Sequence, residues 1–237
     1  MVRMTVLGFL LAAGPVLFLL AFVALSVAFT ATGTPADEVG ARVARLVPHT
    51  LLWVLVCLGL GLLAVSSEVQ KAWQLPARAV VLSDLAVGAA CGLGLALLYL
   101  AWLAPLLVWL QGTVGDFVPA GSTRPALAGS LGVFFVANVM LAPLVEETLY
   151  RGVAIPILGK RFGHAAALVL SCVAFGLLHW AGGLWYMLLA GLVAGGCFTG
   201  LYHWRSGIVA PFAAHLVLNL VEFIHAAVTR GDSETPA

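Results

Sequence analysis

Charge is the scarcest commodity in this 237-residue chain. Only 9% of its residues are Asp, Glu, Lys or Arg, against about 25% in an ordinary soluble domain. The shortage excludes a water-soluble globule. The near balance of 11 basic against 10 acidic residues also gives no basic face for nucleic acid. Cysteine is scarce too: Cys57, Cys91, Cys172 and Cys197 lie in apolar stretches without zinc-type spacing and read as small buried hydrophobes. No His-Glu-x-x-His stretch, internal repeat or low-complexity segment is present. What remains is 62% hydrophobic, with a mean hydropathy of +1.10. These numbers describe an integral membrane protein.

A helix needs about 20 apolar residues to cross a bilayer. Seven stretches qualify, roughly 5–30, 49–66, 84–111, 129–150, 165–181, 183–204 and 207–228. The expected fold is all-α, a polytopic membrane helical bundle of about seven transmembrane helices. The first stretch is too long for the 7–15 residue core of a signal peptide, so it reads as a retained span. An interfacial helix is expected around Val39–Leu46, and Pro105 could break the long third span. The Gly-Gly at 182–183 and Arg-Ser-Gly at 205–207 read as tight turns made possible by glycine. Three regions result: an N-terminal three-helix part (1–128), a four-helix core (129–228) and a polar tail (229–237).

Loop cations set orientation. Arg3, Lys71, Arg78, Lys160, Arg161 and Arg205 fall on one side, and Arg42, Arg45, Arg124 and Arg230 on the other. The excess predicts a cytoplasmic N-terminus. Richness in Ala, Gly, Leu and Val with few lysines points to a bacterial cytoplasmic (inner) membrane.

Polar groups inside the apolar stretches carry the functional information, because a charge near the bilayer centre costs about 2.5–3.5 kcal/mol even on the lenient scale. The first cluster is Glu146-Glu147-Thr148-Leu149-Tyr150-Arg151. Residues i and i+4 share a helix face, so Glu147 and Arg151 can pair, with Glu N-terminal to Arg. Glu146 then points elsewhere, with Tyr150 one turn away on its own face. Glu147 and Arg151 neutralise each other and Glu146 stays free for proton transfer. The blander reading is two solvated carboxylates at a helix end. The second cluster is Phe175 with His179. The third is His215, Asn219 and Glu222, at i, i+4 and i+7 on one face, with His225 beyond. It suits either a site or a helix–helix hydrogen-bond seam. Glu222 reads as support near the interface. A turn at Lys160–Gly163 would bring Glu146 and His179 level, whereas straight helices leave His215 about 16 Å away in height.

Together the clusters resemble the CAAX-protease and bacteriocin-processing (CPBP) family of intramembrane endopeptidases. That family carries Glu-Glu-x-x-x-Arg, Phe-x-x-x-His and His-x-x-x-Asn on successive helices. Here they stand as Glu146-Glu147…Arg151, Phe175…His179 and His215…Asn219. The resemblance covers about 129–225; the first three spans have no matching motif. It implies an intramembrane endopeptidase in which Glu146 and His179 activate water while His215 and Asn219 polarise the scissile carbonyl. Glu147, Arg151, Phe175 and Tyr150 support them, and no cofactor is needed. The alternative within the family is zinc held by Glu146, His179 and His215. The metal-free reading is preferred because no helix sets two histidines one turn apart. The implied partners are the lipid bilayer and a peptide or protein with a membrane-embedded segment or C-terminal tail. Two other classes fit intramembrane Glu and His: a non-catalytic immunity or scaffold protein, and a proton-coupled transporter. Retained motifs argue against the first, and the lack of repeat-related halves against the second.

Overall fold

A computed structural model of the chain describes residues 2–118 and 130–233. Among the described residues every regular element is helical: α1 (Val2–Ala31), α2 (Ala36–Arg45), α3 (Val47–Ala72), α4 (Arg78–Val114), α5 (Leu131–Phe162), α6 (His164–Leu178), α7 (Leu184–Arg205) and α8 (Val209–Ser233). Six of them are long and apolar enough to cross a membrane. The seventh expected span, α6, is a 15-residue helix. At 1.5 Å per residue it covers about 22 Å, short of a full hydrocarbon core of about 30 Å. Helix α2 is the expected surface helix, with Arg42 and Glu38 paired at 3.0 Å on its outside. Arg124 and residues 234–237 of the tail lie outside the described residues, as does the side chain of Arg230. Residues 229–233, the start of the polar tail, continue α8. The four cysteines are free and half-buried, less enclosed than their apolar neighbours suggested.

Proline shapes the long helices without breaking them. Pro105, Pro143 and Pro156 each follow by two residues the end of a π-helical stretch, Tyr99–Leu103, Phe135–Leu141 and Thr148–Ala154. Proline lacks the N–H that would close the preceding turn, and a wider turn absorbs the defect. So α4 runs through Pro105 unbroken, and its first turns, expected as a loop before residue 84, are helical as well. At the α7–α8 connection the left-handed residue is Ser206, with φ +56°, and not Gly207 as expected. The αL position falls one residue earlier, directly after the last residue of α7.

Helix α4 packs along α8, where Gly88 and Gly92 form a Gly-x-x-x-Gly face. A Cβ at either would come within 2.2–2.3 Å of the carbonyl oxygens of Ala210 and Ala214. Small residues let membrane helices approach at backbone distance. Arg205 adds a second tie, donating to Asp84 at 2.6 Å and to Ser83 at 3.1 Å. At one end of the bundle Arg3 pairs with Glu68, which also accepts from Lys71, and Arg3, Lys160 and Arg161 line a shallow basin. At the other end Asp116 caps α7 from outside it, accepting from the backbone N–H of Leu184 (2.8 Å) and Trp185 (3.3 Å) and from that of Phe117. Burial opposes ionisation of this carboxyl, but those N–H groups and Gln111 outweigh it and hold the pKa below the usual aspartate value.

Candidate active site

Helices α5 and α6 form the hairpin that the sequence implied. Gly163, at φ +84°, turns the chain after Phe162. The hydroxyl of Ser171 donates to the Tyr150 carbonyl at 2.9 Å, and the Tyr150 and Phe175 rings meet edge-on at 5.5 Å. Counting one turn back along α5 and one turn on along α6 brings Glu146 opposite His179. The contacts that fix the hairpin are those of Tyr150 with Ser171 and Phe175.

Arg151 and Glu147 are both 0% exposed, and they pair at 3.0 Å as the i, i+4 spacing predicted. The sequence did not show how completely the guanidinium is enclosed. It also donates to the Gly195 carbonyl (3.0 Å) and the Thr199 hydroxyl (3.3 Å), and lies 4.5 Å from the Phe175 ring centre and 5.4 Å from that of Phe198. A buried cation needs this many partners. Gly195 matters because a larger residue would sit against the Phe175 ring and the guanidinium.

The expected offset of about 16 Å for His215 is not present: its ring lies 5.9 Å from that of Phe175, one turn before His179. The chain leaves α6 at Leu178, passes a 3₁₀ turn at Trp180–Gly182, and re-enters a helix that widens into a π turn at Ala190–Ala194. Gly176 faces Gly191 so closely that a Cβ on either would lie about 3 Å from the other's backbone. Beyond this crossing Phe198 stacks on His215 at 4.7 Å, and both rings contact Phe175. Phe175 also touches the His179 ring at 4.7 Å. This phenylalanine, expected only as support, is the hub on which both histidines rest.

Hydrogen bonds assign the ring nitrogens. His179 Nδ1 lies 2.8 Å from the Phe175 carbonyl, which can only accept, so Nδ1 carries the proton and Nε2 presents a lone pair when the ring is neutral. His215 Nδ1 lies 2.9 Å from Glu147 Oε1, the oxygen that also binds Arg151. The motif spacing did not reveal this His215–Glu147 contact. Asn219 donates from Nδ2 to the Asn138 carbonyl at 2.7 Å. Asn138 went unnoticed in the sequence, yet Pro143 signals it. The Ala142 N–H reaches back to Ala137, and the next residue is Pro143, which has no N–H to give. The Asn138 carbonyl is thereby released from the helix, and Asn219 satisfies it.

A cavity of about 60 Å³ is lined by His179, His215 and Asn219, together with Glu222, Tyr99, Tyr186 and apolar side chains of α4, α7 and α8. It has room for a few waters, at about 10–15 Å³ each. The i, i+4, i+7 face of α8 does turn inward, with Glu222 lining the cavity beside His215 and Asn219. Glu146 is not among the lining residues. It is 3% exposed, interacts electrostatically with Glu147, Arg151, Tyr150 and Tyr186, and its Oε2 has no hydrogen-bond partner; neither does Oε2 of Glu147. An unsatisfied buried polar atom costs about 1–3 kcal/mol, more if charged. Among the described residues no three His, Cys, Asp or Glu side chains group closely enough to hold a metal ion.

Residues 128–221 match the family model described as Type II CAAX prenyl endopeptidase Rce1-like. No curated protein and no solved structure matches the chain. The matched segment opens just before α5, closes within α8 and holds all three motifs. Residues 128–221 of this membrane protein are thus similar to the CAAX protease family that its motifs resemble.

Proposed function

We propose that the protein is an intramembrane endopeptidase that hydrolyses a membrane-embedded peptide or C-terminal tail by glutamate-activated water. The observation that carries this reading is the α5–α6 register. By count along that hairpin Glu146, with an unpartnered buried oxygen, falls level with His179, which lines a small cavity together with His215 and Asn219.

In the proposed reaction a water lies between Glu146 and His179 Nε2. Glu146 takes its proton as the oxygen attacks the scissile carbonyl, and later returns that proton to the leaving amine. The remaining amide N–H of Asn219 faces the oxyanion. His215 can help only when its ring carries both protons, since Nδ1–H is committed to Glu147. Glu147 and Arg151 hold that ring and are positioning residues. No metal is required. The N-terminus is proposed to be cytoplasmic, since Arg3, Lys71, Lys160 and Arg161 gather at one end of the bundle. A bacterial inner membrane remains the proposed location.

The test is cleavage of a quenched membrane-peptide library by chelator-washed protein in nanodiscs, with metal content measured in parallel. Glu146→Gln and His179→Ala should each lower turnover by at least about 10²–10⁴-fold while the protein still inserts and folds. Native turnover in Glu146→Gln would sink the mechanism. Stoichiometric zinc that disappears in His179→Ala would move these residues into ligand roles.

A further inference from the structure

Glu222 is a carboxylate inside the Val209–Thr229 span that the proposed hydrolysis does not use. It is half-buried, lines the same cavity as His179 and His215, and has no ion-pair partner among the described residues. Carboxylates within spans are costly and rare, so one left without a cation inside a cavity calls for an occupant. Its surroundings indicate which. Tyr99 and Tyr186 line the cavity with it, and Tyr186 interacts electrostatically with both Glu222 and Tyr99. Tyr186 also meets the ring of His179, which lines the same cavity, at 5.8 Å. A carboxylate flanked by phenol rings attracts a cation twice, through charge and through the ring faces.

We infer that Glu222, Tyr99 and Tyr186 form a subsite that accepts a lysine or arginine side chain of the peptide substrate. This deepens the endopeptidase reading and rests on it. Glu222 lies seven residues beyond His215 on α8, about 10 Å along the axis at 1.5 Å per residue. An extended peptide advances about 3.3 Å per residue, so the cation belongs within about three residues of the scissile bond. The same carboxylate repels an acidic side chain, and also a free C-terminal carboxylate at that depth. The subsite therefore favours a basic membrane-embedded segment over a short anionic tail.

The experiment uses the full-length protein in nanodiscs carrying Glu146→Gln, so that peptide binds without turnover. The probes are fluorescent Leu/Ala membrane peptides with a single lysine stepped along the sequence, and matched peptides with norleucine or glutamate there. At the preferred position lysine should bind about tenfold or more tighter than norleucine. The isosteric Glu222→Gln should erase that preference, and Glu222→Lys should transfer it to glutamate. Equal binding of lysine and norleucine peptides, or an undiminished lysine preference in Glu222→Gln, overturns the subsite. Hydrolysis by the protein with native Glu146 is measured on the same peptides. Cleavage without lysine preference defeats the subsite and leaves the peptidase standing. Lysine preference without Glu146-dependent cleavage supports the subsite and defeats the peptidase.

Discussion

Helices α1 and α5 are nearly equal in length and opposite in role. The span in α1 has a mean hydropathy of 2.6 yet buries 22% of its most apolar window; that in α5 has 1.5 and buries 44%. The less apolar helix is the more enclosed, the reverse of a soluble protein. Lipid accepts an apolar side chain without penalty, so Phe9, Leu20 and Val27 of α1 stand outward. Glu146, Glu147 and Arg151 of α5 cannot face lipid and are withdrawn into the bundle. In this membrane, polarity and not hydrophobicity marks the inside.

The contrast is broken most severely at Arg151. Arg151→Ala leaves Glu147 buried without its cation, and should cost about 3–5 kcal/mol. A detergent melt of this variant that matches the native protein would refute the anchoring role. Next is Gly92→Leu, which drives a side chain into the Ala214 carbonyl and should cost about 1–3 kcal/mol or more. Because α4 lies outside the matched segment but supplies Tyr99 to the cavity, cleavage should fall along with the melting temperature. Intact activity would show that α4 is mere scaffold. A smaller effect is expected at Asp116, whose removal should cost about 0.5–2 kcal/mol, the usual range for a lost helix cap. Its folded pKa is lowered, so its stabilisation is fully present above the unfolded value of about 3.9 and is lost as pH falls through the lower folded value. Melting curves across that acid range should therefore be flatter for Asp116→Ala than for the native protein. Smallest is Leu20→Ala on the lipid face, within about 0.5 kcal/mol; a large loss would mean that α1 is not peripheral.

Much of this architecture was legible from local pattern. Long apolar runs announce spans, the i, i+4 relation announces Glu147–Arg151, and the turn at Gly163 announces the level of Glu146 and His179. Two further signals were present but passed over. Gly88 and Gly92 spell a helix-contact face, and Pro143 releases the Asn138 carbonyl that Asn219 then binds. Other partners carried no local sign. Nothing near Arg151 names Thr199 or the Gly195 carbonyl, 48 and 44 residues away, and nothing near His215 names Glu147, 68 residues away.

By itself the chain's sequence determined the solvent, the helices, and which polar groups had to be withdrawn from lipid. Those properties follow from apolar area, proline chemistry and the helical repeat, all of which act within a few residues. Only the tertiary structure decided which ring nitrogen each histidine presents and that Phe175 supports both rings. It likewise decided that Glu222 shares their cavity. These depend on how helices cross, as α6 and α7 do at Gly176 and Gly191 and α4 and α8 at Gly88 and Gly92, and a crossing is set by the fit of two surfaces, which no single helix encodes.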